Sequence, residues 1–171
     1  MNKAAQRLVV LAAAGIFVMG TMLGIKLSFA SPESVADEPA CEIKKVARGE
    51  VLSSNLVMVH VYNSSRRTGA ANRVKINLER KGFLGGVAKN NPGKVRTKNV
   101  TVLTTDPDDP RVRLVAAQFE GKVERVPADF EMEDGISILI GPKYEGLKKD
   151  SNTKIKAGRD VSVCVPAITL P

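Results

Sequence analysis

The sequence has no tryptophan, two tyrosines, five phenylalanines, one histidine and two cysteines. With so few aromatic side chains, a core has to be assembled from Val, Ile, Leu and Ala. The lone histidine, His60, falls in an apolar strand pattern and reads as a packed residue rather than a base. Neither a Ser-His-Asp triad nor a zinc set assembles around it, because no second imidazole and no clustered thiols are present. There is no Cys-x-x-Cys redox pair. Glu131, Glu133 and Asp134 form an acidic loop without the partner carboxylate that glycoside hydrolysis requires. Asp106, Asp108 and Asp109 lack the spacing of a calcium loop and are interrupted by two prolines, so they read as helix-capping residues. No internal repeat is present. No cofactor, metal or catalytic residue is expected, and the chain reads as a non-enzyme.

Long apolar runs are also scarce, with one exception. Lys3 and Arg7 precede an uncharged stretch from Leu8 to Ile25, which is at the lower edge for a membrane-spanning helix and long for a signal-peptide core. The leading positive charge places the N-terminus in the cytoplasm and everything after Lys26 outside. Ser28-Phe29-Ala30 resembles a cleavage site. Residues 1–30 therefore read as a retained single-pass anchor or a removed signal, with a buried core helix as a third reading. The full chain carries a net charge of +8. Without residues 1–30 there remain 23 basic and 18 acidic side chains, a mild +5. Such a surface suits anionic polymers or lipid heads outside the cell, or is simply solvated. Nucleic acid is not an expected partner of a translocated domain.

Cys41 and Cys164 stand near the two ends of the exported part. An even count outside the cytoplasm points to a disulfide between them; the alternative is two unrelated buried thiols.

Residues 31–54 are mostly polar, with two prolines, and read as a tether, in which 43–54 shows little periodicity and one short strand is possible. The folded domain is expected over 55–147, followed by an extension over 148–171 that holds a possible strand. Leu56–Tyr62 has apolar residues on both faces, the mark of a strand in the middle of a sheet. Ala70–Lys81 places Ala71, Val74 and Leu78 on one side of a helix, and Gly82 sits where a helix-ending glycine belongs. Strands follow at 85–89 and 100–104. Asp109-Pro110 opens a second helix with Val112, Val115, Ala116 and Phe119 on its apolar stripe and Gly121 at its end. Further strands are expected at 122–126, 135–141 and 161–165. The resulting order, β-α-β-β-α-β-β with a possible terminal strand, predicts an α+β class: an α/β two-layer sandwich of a mixed sheet with two helices on one face.

The stretch Met58-Val59-His60-Val61-Tyr62-Asn63-Ser64-Ser65, then Gly69-Ala70-Ala71, then Gly82-Phe83, resembles the LytR C-terminal domain family, in which a strand end, a helix start and a Gly-Phe helix exit follow in this order. The layout of one anchor, a spacer and one such domain resembles actinobacterial cell-envelope-integrity proteins. That resemblance implies a non-catalytic accessory or scaffold in envelope integrity or assembly. Its implied partners are envelope-assembly proteins, including those of LytR-CpsA-Psr type, or anionic wall polymer. No catalytic residue comes with the family. This chain departs from the pattern at Arg66-Arg67, where small residues are usual.

The best local candidate for binding is the turn Asn63, Ser64, Ser65, Arg66, Arg67, Thr68 and Gly69. Strand, turn and helix start together present backbone amides, two hydroxyls and two guanidiniums, which suits a phosphate or carboxylate. The bland alternative is that Asn63 and Thr68 satisfy the turn and cap the helix. Lys143, Lys148, Lys149, Lys154 and Lys156 read as a solvated basic region or a contact for acidic polymer. An enzyme acting on envelope glycopolymers and a freely secreted ligand-binding domain remain the competing readings.

Overall fold

The computed structural model describes residues 41–166. The anchor or signal expected over 1–30 and the first part of the tether lie outside the described residues. Along the chain run β1 (Cys41–Val46), β2 (Val51–Ser53), a short 3-10 turn (Ser54–Leu56), β3 (Met58–Asn63), helix α1 (Ala70–Arg80), β4 (Leu84–Asn90), β5 (Val100–Leu103), helix α2 (Pro110–Ala116), β6 (Val123–Val126), β7 (Ile136–Ile140), β8 (Lys154–Lys156) and β9 (Val161–Pro166).

Five strands form a mixed sheet in the order β4-β3-β7-β5-β6. β3 runs parallel to both of its neighbours, β4 and β7. β5 is antiparallel to β7 and parallel to β6. The class is α+β, as the sequence pattern predicts. The five residues of β7 are all buried, which explains why Ile136–Ile140 shows so little polar alternation.

The period-2 alternation of the strands sorts their side chains between two cores. Val59, Val61, Val100, Val102, Ile136, Ile138 and Ile140 join Ala71, Val74 and Leu78 of α1 and Val112, Leu114 and Val115 of α2 in one cluster. Both helices therefore cover the same face of the sheet. Tyr62, Leu103 and Leu139 point to the other face, where Val126, Ala128 and Phe130 cover them. Burying side chains of this size contributes about 1.5–3 kcal/mol each before entropy is counted.

The helix ends follow the expected chemistry. Gly82 has φ +87°, its amide donates to Glu79 O at 2.8 Å, and the Phe83 amide donates to Leu78 O at 3.1 Å. This reciprocal pattern requires a left-handed residue at Gly82. Ser54 Oγ donates to Lys81 O at 2.9 Å, satisfying a further terminal carbonyl. At α2, Asp109 Oδ1 accepts from the Arg111 amide at 2.7 Å and Pro110 takes the first turn, but the helix ends at Ala116 rather than near Gly121, and Phe119 is buried beyond it in a bridge to Leu147.

β8 is absent from the predicted order, and two strands stand where the sequence allows one short strand over 43–54. β1 pairs antiparallel with β9, and β2 pairs antiparallel with β8. β1 and β2 fall inside the 31–54 stretch read as a tether, so the described fold begins at Cys41 rather than near Asn55. The reason is physical. Five of the six residues of β1 are exposed, and β2 and β8 are three residues each. Neither presents an apolar periodicity, and their pairing is set by partners more than a hundred residues away.

Candidate functional site

Asn63 and Asn90 are the last paired residues of the parallel β3–β4 ladder. The loops that leave these two strands consequently emerge side by side at one end of the sheet. Between them lies an open groove of about 440 Å³, lined by residues 63–69 and by Asn90, Asn91 and Arg96. All seven residues singled out from the sequence share this groove. Asn90, Asn91 and Arg96 were not among them; the signal that could have found them is the asparagine ending both strands of a parallel pair.

The seven do different jobs. Asn63 is fully engaged in shaping the turn: its Oδ1 accepts from the Ser65 amide at 2.9 Å and from Ser65 Oγ at 2.7 Å, while its Nδ2 donates to Arg67 O at 2.9 Å. Ser65 Oγ in turn accepts from the Arg67 amide at 3.1 Å. The Ser64 amide donates to Ile140 O at 2.9 Å, which ties the turn to β7. Thr68 does not cap the helix. Gly69 occupies the N-cap with φ +73°, and no side chain accepts from the first amides of α1. A left-handed residue there reverses the chain sharply into the helix, and glycine adopts it without strain. The turn half of the bland alternative therefore applies to Asn63, and the capping half does not apply to Thr68.

Arg66, Arg67 and Arg96 are exposed. None forms an ion pair with a carboxylate of the described residues. Arg96 Nη1 donates to Gly93 O at 2.6 Å and Val95 O at 3.1 Å, which fixes the guanidinium against its own loop. Asp129 accepts from the amides of Lys94 and Val95 and pins that loop. The groove supplies guanidinium and amide donors and no base. Each exposed contact with an anion is worth only about 0.2–1 kcal/mol, so affinity there has to come from several contacts at once.

The remaining candidates separate. Cys41 and Cys164 are bonded to each other. His60 is buried. Its Nε2 lies 2.6 Å from Asp134 O and its Nδ1 accepts from the Val87 amide at 3.1 Å, so it carries its proton on Nε2 and bridges β4 to the loop before β7. It fills a slot between Gly86 and Gly135, at a register shift in the β3–β4 ladder. Asp106 pairs with Arg159, and Asp109 caps α2. Lys89 and Glu133 are 2.9 Å apart; the lysine amine holds the Glu133 carboxyl below its usual value, and the carboxylate raises Lys89. Lys143, Lys148, Lys149, Lys154 and Lys156 are all exposed. A second cavity of about 200 Å³, mostly apolar, lies against the disulfide and is lined by Ile43, Leu56, Val57, Met58, Ile136 and Val163 among others; no local pattern of residues points to it. No helix among the described residues is long and apolar enough to cross a membrane.

The sequence pattern of the family described as LytR cell envelope-related transcriptional attenuator matches residues 56–144. The chain belongs to this LytR C-terminal family. The match holds the whole five-stranded sheet, both helices and both walls of the groove, and it leaves Cys41 and Cys164 outside. Membership gives the chain a cell-envelope-related role. Among solved structures, the soluble domain of a conserved hypothetical secreted protein from Mycobacterium marinum is similar at 20% identity and a TM-score of 0.42, over 63% of this chain and 76% of that one. No curated protein matches.

Proposed function

We propose that this LytR C-terminal protein works outside the cytoplasmic membrane as a non-catalytic accessory of cell-envelope assembly, holding envelope proteins or anionic wall polymer rather than turning either over. The observation that carries the reading is the family match across 56–144 in a chain whose Cys41–Cys164 bond belongs to an oxidising compartment. In this reading residues 1–30 supply a single-pass membrane anchor and the groove between the two loops receives the partner.

The test is crosslinking in intact cells, with photoreactive residues placed one at a time at exposed Thr68 in the groove and at exposed Lys122 and Lys154 away from it, and the products identified by mass. Recovery of envelope-assembly proteins or wall polymer supports the reading; recovery of neither removes it. The mass of the mature N-terminus decides between anchor and secreted form, since a chain starting at Ser31 has no anchor.

A further inference from the structure

We infer that the groove is a binding track for a polymer that carries oxyanions at regular intervals. This rests on the accessory reading above and narrows its partner. Three arginines line the groove, Arg66 and Arg67 from one wall and Arg96 from the other, and among the described residues no carboxylate does. The walls are held at a set spacing, because Asn63 and Asn90 close the parallel ladder and the Asn91 amide donates to Asn63 O at 3.0 Å. Arg96 spends one nitrogen on its own loop carbonyls and keeps the rest of its fork free.

The exposure of all three arginines decides what kind of anion fits. One exposed guanidinium–anion contact improves affinity by about fivefold at most. A single small anion reaching one or two of them is therefore held only weakly. A chain that presents several anions engages all three, and each released group rebinds at the high local concentration set by its neighbours. An open groove of about 440 Å³ lets such a chain run through, as an enclosed cavity does not. The planar guanidinium fork accepts phosphate and carboxylate alike, so the shared chemistry is the repeated oxyanion.

The experiment measures binding of the full chain to poly(glycerol phosphate) and to polygalacturonate, with neutral dextran and inorganic phosphate as controls. The wild-type chain is expected to bind at least one of the two polymers, less tightly as salt is added, and to bind neither control. Substituting R66A, R67A and R96A together is expected to weaken polymer binding by about tenfold or more, while R66K with R67K and R96K, which keeps the charge, loses less. An unchanged melting curve for both variants shows that the fold is intact. Equal polymer binding by the wild-type and triple-alanine chains overturns the inference, as does tight binding of inorganic phosphate alone. Binding to vesicles containing phosphatidylglycerol but to neither polymer also overturns it. In each of these cases the crosslinking result still decides the accessory reading independently.

Discussion

Cutting the covalent link between the first and last described strands should cost the domain a large share of its stability. The Cys41–Cys164 bond closes a loop with a sequence separation of 123. For a loop of that length the chain-entropy model gives about 5 kcal/mol at 25 °C. The six cross-strand pairs of β1 with β9 stay available without it, and a reduced chain retains some residual order, so a loss of about 2–5 kcal/mol is expected for Cys41→Ser with Cys164→Ser. Tm should fall by roughly 10–20 °C for a domain of this size. Without tryptophan, the suitable assay is urea unfolding followed by far-ultraviolet circular dichroism on three samples: oxidised wild type, wild type in excess dithiothreitol, and the double variant. The last two should coincide and show a steeper urea dependence than the first, because the open chain exposes more surface when unfolded. If the double variant lies within about 0.5 kcal/mol of the oxidised protein and has the same slope, the loop is not closed in solution. The compartment inferred from it then has no support.

Gly86→Ala would drive a methyl into the His60 ring, so a cost of about 1–3 kcal/mol is expected, shrinking when His60→Ala is added; a double-mutant cycle without coupling would refute the slot. Leu52→Ala, in a strand of three residues with Leu52 fully buried, should cost about 2–5 kcal/mol by urea unfolding; a loss below about 0.5 kcal/mol would return β2 to the tether. Burial raises Tyr144 to about 12 and, with Glu133 second, raises Tyr62 as well. Both raised groups favour the neutral phenol, so their contribution is complete below the ordinary tyrosine value and is lost as pH rises through the folded value. With two tyrosines and no tryptophan, little phenolate absorbance should develop by pH 10; half-ionisation there would contradict the packing. In the opposite limb, Arg159 lowers Asp106 and Lys89 lowers Glu133, so both contributions are present above the ordinary carboxylate range and fade as pH falls through the lowered values; Asp106→Asn with Glu133→Gln should flatten the acid limb of a stability profile.

The elements legible in the sequence are those whose own residues carry the signal. Val57, Val59 and Val61 against Met58, His60 and Tyr62 announce a two-sided strand, and Asp109-Pro110 and Gly82 punctuate the helices within a residue or two of where they end. β1, β2 and β8 leave at most one short strand legible, because β1 is mostly exposed, β2 and β8 are only three residues each, and distant backbone partners hold them. The same limit applied to the groove. Residues 63–69 were readable from local chemistry, whereas Arg96 joins them only because β3 and β4 run parallel and stop together. Thr68 was a reasonable cap by residue type; the left-handed backbone at Gly69 displaced it from that position, and nothing in the composition of the turn reports a dihedral angle.

Cys41 faces Pro166 across the β1–β9 ribbon, so the chain enters and leaves the described fold at one spot. A pull applied to both ends is therefore borne by the sulfur bridge two residues inside Pro166, and the hydrogen bonds of the five-stranded sheet carry none of that load while the bridge holds. The same closeness lets the unit be spliced into a surface loop of another protein with little disturbance to its host.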